Sequence, residues 1–358
     1  MPYLILDIMR TLFSTILLFS AVAISFVSCK GSSSQVTAEI KSEAVCALDE
    51  NLLLLDAPKS LSVEAGKGFV VAAGDDVVLY DFDGQQLSSF NKKGRGSYEY
   101  QTLGYVRGEG EKIYVWDSGR TVFIVYDRDG EGLAEYKYGS AIKDFLPHEE
   151  RLYIYTAGKR TGHLVDVFDM KSCAVVDSLV VPTPEHRLLL SNEAAAPMSV
   201  YDGSLYFMPK DALDIYRWPL SGGEVSKVGT IASETFKVDK IGDAGIIGRD
   251  FMKAARYLFL NSYTLALSVG RKGFMVLANE GTAELDKSLK VTEDNLTMNL
   301  YRTDAKLGHL KKSAEKRSVD VRTICSSEGE IYFLRHDVEG ENDRYTGSPA
   351  KFRVKTHK

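Results

Sequence analysis

Proline and cysteine are scarce in this chain, with 9 Pro and 4 Cys among 358 residues. So little proline beside 30 Gly excludes collagen-like and proline-rich low-complexity architectures. Four cysteines with no Cys-x-x-Cys pair leave out a thioredoxin-type redox motif, a sulfur-ligated zinc site and a dense disulfide scaffold. There is no basic excess either. Lys and Arg number 44 against 49 Asp and Glu, a net charge of −5, which argues against a dedicated nucleic-acid binder. Catalytic signatures are missing: the chain has no Gly-x-Ser-x-Gly, no His-Glu-x-x-His, and no His-x-His among its 6 His. Four Ser-x-x-Lys pairs (Ser89/Lys92, Ser140/Lys143, Ser313/Lys316, Ser348/Lys351) lack any accompanying Ser-Asp-Asn or Lys-Thr-Gly.

What remains is a folded globular composition, 44% hydrophobic and 26% charged, long enough to bury a large core as one extended architecture or two domains. Residues 11–28 carry no charge and run into Cys29, which the polar stretch Lys-Gly-Ser-Ser-Ser-Gln follows. With Arg10 before it, this is the pattern of an export signal, and Met9 offers a more ordinary start than Met1. Phe26-Val27-Ser28-Cys29 resembles a bacterial lipobox, which implies acylation of Cys29 and stable attachment to a membrane surface. Ordinary cleavage, an uncleaved anchor and a chance cysteine are the alternatives. Of Cys46, Cys173 and Cys325, at most one pair forms a disulfide, and Cys325, in an apolar stretch, reads as a buried thiol.

An internal repeat organises the rest. Val-Val-Leu-Tyr-Asp-Phe-Asp-Gly at 77–84 recurs as Phe-Ile-Val-Tyr-Asp-Arg-Asp-Gly at 123–130, and more loosely at 165–172. Each copy is an apolar strand ending in an aromatic-Asp pair, a turn, and a second strand, because Asp and Gly tolerate the backbone that tight hairpins need. Calcium binding by Asp81/Asp83 and Asp127/Asp129 is a sharper reading, but no distal Glu completes a ligand loop. Apolar runs near residues 68, 112, 151, 204, 256 and 330 read as inner strands buried on both faces. Six such runs predict an all-β, six-bladed β-propeller with four-stranded antiparallel blades. Its C-terminal Lys-Phe-Arg-Val-Lys completes the last blade or pairs with residues 36–48 to close the ring, removing exposed edges. Between 256 and about 318 an insertion, loop or short helix, is expected.

The stretch from Phe90 to Gly130 resembles the six-bladed β-propeller lipoproteins of Bacteroidales-type bacteria, relatives of NHL and TolB-like propellers. The residues that carry this are the loop Gly94-Arg95-Gly96-Ser97-Tyr98-Glu99-Tyr100, the turn Asp117-Ser118-Gly119-Arg120, and residues 197–218, similar to a fourth blade. The resemblance covers roughly 60–355 and implies a fold and a cell-envelope address, but no activity. The resulting division is a lipoprotein signal at 1–28, a tether and possible ring-closing strand at 29–47, and one propeller domain at 48–358.

No cofactor or metal set is indicated. The Gly94/Gly96 pair lacks the third glycine and following helix of a dinucleotide fingerprint, and reads as backbone geometry at a blade crossing. The acidic pairs Asp75-Asp76 and Glu149-Glu150, with His148 beside the latter, and the alternating acids at 337–343 sit in expected loops where solvated charge is the default. Lys92, Arg95, Tyr98 and Tyr100 form the candidate ligand-facing group, since rings stack on sugars or peptides and Arg reads carboxylates. The expected function is non-catalytic binding or scaffolding in the envelope, of a glycan, peptide or protein partner. The location expected is the outer membrane, facing the periplasm. A propeller lyase or hydrolase with a metal in the central channel is the alternative.

Overall fold

The computed structural model describes residues 38–45, 58–157, 162–190, 196–241, 249–281, 283–286, 291–294, 297–307, 311–316, 323–339 and 344–354. Cys29, Cys46, the leader and acidic positions 341 and 343 of the 337–343 run lie outside them. Strand β1 (Ala38–Ala44) opens the described chain. The first four-stranded antiparallel sheet follows, β2 (Pro58–Glu64), β3 (Gly68–Ala73), β4 (Asp76–Tyr80) and β5 (Gln86–Phe90). The second is β6 (Leu103–Glu109), β7 (Lys112–Asp117), β8 (Val122–Asp127) and β9 (Gly132–Lys137). The third is β10 (Ile142–His148), β11 (Arg151–Thr156), β12 (Val165–Asp169) and β13 (Ala174–Leu179). After helix α1 (Pro184–Leu189) comes the fourth, β14 (Met198–Tyr201), β15 (Ser204–Phe207), β16 (Asp214–Pro219) and β17 (Ser226–Thr230).

Beyond helix α2 (Phe251–Leu260) lie β18 (Tyr263–Gly270), β19 (Gly273–Glu280), the small hairpin β20 (Ala283–Leu285) and β21 (Val291–Asp294), β22 (Thr297–Thr303) and β23 (Lys311–Lys316). The chain then finishes with β24 (Cys325–Ser327), β25 (Glu330–Glu339) and β26 (Arg344–Val354). These do not make two further blades. Apart from the separate β20–β21 hairpin, they join with β1 in one eight-stranded sheet, ordered β18-β19-β22-β23-β1-β26-β25-β24. The six-bladed expectation is therefore corrected to five blades, four of four strands and one of eight. The physical reason is β1, which hydrogen-bonds on both edges: antiparallel to β26 from Ile40↔Val354 to Ala44↔Ala350, and parallel to β23 at Ala38↔Ser313 and Glu39↔Ala314.

The first strands of the strand sets neighbour one another in a closed circuit, β2, β6, β10, β14, β18, β24 and back to β2. Successive sheets pack face to face, which is why the second strands carry consecutive apolar residues through their middles. Along β3, Val70 and Ala72 face the second blade, in a cluster with Val106, Val115 and Ile124, while Phe69 and Val71 face Cys325 and Leu334 of the eight-stranded sheet. The apolar runs near 68, 112, 151, 204 and 330 are thus second strands of their sets, one place outward from the axis.

The run near 256 is a correction of another kind, because it is helix α2. Asp250 caps it by accepting from the Lys253 N–H at 2.9 Å, and Ala254, Ala255 and Leu258 share its buried face. The insertion expected from 256 to 318 instead supplies β18, β19, β22 and β23.

The repeated aspartates fold their own turns. Asp81 Oδ1 accepts from the backbone N–H of Asp83 and Gln85, both at 2.9 Å, and Asp127 Oδ1 repeats this with Asp129 at 3.0 Å and Glu131 at 2.8 Å. Asp169 accepts from the Ser172 N–H at 2.9 Å in the third copy. Carboxylates used this way close hairpins, leaving them poorly placed for calcium. Outward of each turn, the pairing between third and fourth strands shifts register at the same place, near Tyr80, Tyr126, Phe168 and Tyr216. These bulges bend the outer edges and blunt them as templates for further pairing.

Deleting Ala38–Ala44 leaves both β23 and β26 with a bare edge. We expect a lower melting temperature and soluble oligomers by light scattering; a monomer of unchanged melting temperature would show that β1 does not close the fold.

Candidate functional site

The inner strands end on a cleft of about 520 Å³. Its walls come from the ends of β2, β6, β10, β14 and β24 and from the turns after them, so it sits at the axis of the ring. Serine side chains stitch these strands together where no ladder runs between them. Ser60 Oγ accepts from the Val106 N–H at 3.1 Å, Ser62 Oγ from the Gly108 N–H at 3.1 Å, and Ser199 Oγ from the Val269 N–H at 3.1 Å.

Arg107 is the most connected group in the wall. Only 5% exposed, it donates from Nη1 to Ser60 Oγ and Leu61 O at 3.1 Å each and to Val106 O at 2.7 Å, and from Nε to Phe145 O at 3.1 Å. Its Nη2 donates to Asp144 Oδ1 in a buried ion pair, and the guanidinium carbon stands 5.8 Å from the Phe145 ring centre. One side chain thereby ties the inner strands of three blades. Burial pushes the Asp144 carboxyl up against the opposing pull of Arg107.

The other acids of the cleft are held at the turns. Glu64, at the end of β2, accepts from Arg128 Nη1 at 2.8 Å through Oε2, while Oε1 is buried without a hydrogen-bond partner among the described residues. The carboxylate lies over Gly108, where a Cβ would come within 2.4 Å of Glu64 Cδ, so glycine is required by close approach. Glu109 accepts from the Glu149 N–H at 2.9 Å and faces His148 Nδ1 at 3.7 Å; burial is the largest influence on its carboxyl and pushes it up. Cys325 lines the same wall, its thiol pushed up to about 12 by burial, and is free, as is the exposed Cys173.

None of Lys92, Arg95, Tyr98 and Tyr100 lines this cleft. Their loop is wedged at the rim between the first two blades. Tyr100 is fully buried, its hydroxyl donating to Asp75 O at 2.6 Å and accepting from the Lys92 N–H at 3.0 Å, so its assignment to a ligand-facing surface is corrected to core packing. Tyr98 is 39% exposed at φ 57°, its N–H donating to Glu135 Oε1 at 2.6 Å and its side chain packed against Gly132. Lys92 Nζ stands 3.9 Å from Glu131, and Arg95 is exposed. Glu99 explains the glycines. Its carboxylate accepts from the Gly96 N–H at 2.6 Å and would clash at 2.0 Å with a Cβ on Gly94. Asp117 is buried and accepts from the N–H groups of Gln101, Thr102 and Gly119 at 2.9–3.0 Å, clasping the same crossing. Asp75 pairs with Lys93, and Glu150 with Lys171.

Sequence reasoning passed over Glu64, Arg107, Glu109, Arg128 and Asp144. The available signal was charge inside an otherwise strand-like run, as in Tyr-Val-Arg-Gly and Ile-Lys-Asp-Phe-Leu. A second polar group was also passed over, under α1. His186 is 1% exposed and accepts from the Lys210 N–H through Nδ1 at 2.9 Å; burial, then the charges of Lys210 and Arg187, lower its imidazole to about 3. Lys210 is equally buried and lowered to about 7, chiefly by desolvation, with its ammonium position 5.4 Å from the Tyr263 ring centre. Among the described residues no three His, Cys, Asp or Glu side chains come together as a metal-holding group, and no helix is long and apolar enough to cross a membrane.

No protein-family model matches the sequence, and no curated protein is similar to it. Solved structures do share the fold. A DUF4221-family protein of Bacteroides vulgatus superposes with a TM-score of 0.62 at 12% identity, over 90% of this chain and 100% of that one. A Bacteroides fragilis protein described as exported gives 0.63 at 12% identity, over 90% and 98%. The chain is a β-propeller of that architecture.

Two expectations follow from these geometries. Arg107→Met strands Asp144 without its partner and should cost about 3–5 kcal/mol in urea unfolding; a loss under about 1 kcal/mol would remove the clasp from the account. His186 titrates far lower folded than its ordinary value, so its contribution is whole above about pH 6.5 and is lost as pH falls towards about 3. His186→Asn, whose amide oxygen still accepts from Lys210, should flatten the fall in stability over that window; an unchanged profile would place the proton uptake elsewhere.

Proposed function

We propose that this chain is an exported, lipid-anchored binding protein of the bacterial cell envelope that takes a glycan, peptide or protein partner at the axial cleft without chemical turnover. The observation that carries this is the cleft itself, about 520 Å³ on the axis, walled by inner strands that Arg107 and the serine stitches hold rigid. Its charged groups are held apart, Asp144 paired with Arg107, Glu64 paired with Arg128 and Glu109 beside His148, rather than gathered about one reacting point. A preformed recess with fixed polar groups favours recognition, because little ordering entropy is lost when a ligand enters. The uncharged run ending at Cys29 supports export and acylation, and the fold of an exported Bacteroides fragilis protein is in keeping with it. The outer membrane, facing the periplasm, is the proposed site, because the tether after Cys29 has no acidic run.

The test is affinity purification of the native protein from envelopes, with Ala65→Trp filling the mouth of the cleft and Tyr98→Ala altering the rim. Partners should disappear with Ala65→Trp and persist with Tyr98→Ala. Loss with the rim variant alone would move the binding surface to the loop at 92–100.

A further inference from the structure

We infer that a second site, between the fourth blade and the eight-stranded sheet, binds an acidic sugar residue, with Arg217 on its carboxylate and Tyr201 and Tyr206 against its ring. The recess there is about 300 Å³, at the lower end of the range for small-ligand sites, and shares no lining residue with the axial cleft. Strand pairing gathers its polar groups. Tyr206 of β15 stands opposite Arg217 of β16, Arg217 opposite Ser226 of β17, and Tyr201 of β14 opposite Ser204 of β15. Opposite residues of an antiparallel pair project from the same side of the sheet, as do residues two apart along a strand. Tyr201, Tyr206, Arg217 and Ser226 therefore share one face, and all four line the recess. From the neighbouring sheet, the Phe274 ring centre lies 5.7 Å from that of Tyr206, edge to face, and backs it.

Arg217 is exposed and is the one charged residue of the lining. Its Nε donates to Ser204 Oγ at 2.9 Å, which anchors one edge of the guanidinium. Nη1 and Nη2 hold no hydrogen bond and no acid pairs with them among the described residues. That end of the fork matches the two oxygens of a carboxylate. The exposed Arg271, Lys272 and Lys306 adjoin lining residues in sequence, against Asp202 and Asp304, so the surrounding charge also favours an anion. Lys227 is taken up by Asp214 at 2.8 Å. Tyr201 and Tyr206 are half-buried, and their hydroxyls hold no hydrogen bond among the described residues. Such rings pack against the C–H face of a pyranose while their hydroxyls, with Ser226 Oγ, meet its hydroxyl groups. A phosphate or a bare anion would use the fork and leave the rings idle.

The test is calorimetric titration of the full-length chain with galacturonate and glucuronate, with the methyl ester of each, and with N-acetyl-dialanine as a carboxylate that has no sugar ring. At least one uronate should bind, and its methyl ester, which keeps the ring and removes the charge, should bind about ten-fold or more weakly. Arg217→Gln should erase the difference between acid and ester, and Tyr206→Leu should weaken the acid by a similar factor. Circular dichroism melting shows that each variant folds. Lys227→Gln, a cation of the same blade outside the recess, should change nothing, and neither should Ala65→Trp. Equal affinity for acid and ester, indifference to Arg217→Gln or to Tyr206→Leu, binding of N-acetyl-dialanine as tight as that of the uronate, or no uronate binding at millimolar concentration overturns the assignment. Loss of uronate binding with Ala65→Trp would move the sugar to the axial cleft and overturn it too. Capture of envelope partners reports on the axial cleft alone, so the two readings fail separately.

Discussion

The buried Arg107 to Asp144 clasp is the constraint on which the axial architecture depends. Sheets packed face to face are held by apolar contact, which resists separation but has little directionality, so it does not by itself fix where one inner strand stands along the next. A guanidinium with five donors in a fixed fork does fix it. By bonding Leu61 O, Val106 O and Phe145 O at once, Arg107 sets the relative height of three inner strands, and the Ser60 and Ser62 hydroxyls keep the same register from the other side. The cleft inherits its shape from that registration, because Glu64, Glu109 and His148 all sit at the ends of the strands so fixed.

Much of the fold was legible in the sequence. The 46-residue displacement between residues 77 and 123, with its Asp-containing turns, marked a propeller because hairpin chemistry is local: Asp81 and Asp127 close their turns with atoms two and four residues away. Apolar runs such as Phe69–Ala73 announced burial on both faces. Locality also explains the failures. Residues 256–261 carry the same aromatic and aliphatic content as a strand, and only the cap at Asp250 and the spacing of Ala254, Ala255 and Leu258 reveal the helix. The blade count failed at β1, since pairing on both edges of one strand has no signature in its composition.

The candidate site was legible only at its edges. His148 and Glu149 were visible as a polar corner; His148 lines the cleft and faces Glu109, and the Glu149 backbone N–H donates to Glu109. Glu64, Arg107 and Asp144 were invisible because each is a charge within a strand, given meaning by partners 37 to 64 residues away. Tyr100 illustrates the converse. A tyrosine among lysines and glycines has the composition of a binding loop, yet its hydroxyl bridges Asp75 and Lys92 inside the wall.

The seam at β1 also has a mechanical meaning. Any tension carried by the chain ahead of Ala38 enters the fold through this strand, which is gripped by β26 on one side and by β23 on the other. A pull along the strand loads those hydrogen bonds together, in shear, instead of peeling them apart in succession. The strand that closes the ring is thus also the strand through which such a load enters, and the edges of β23 and β26 share it.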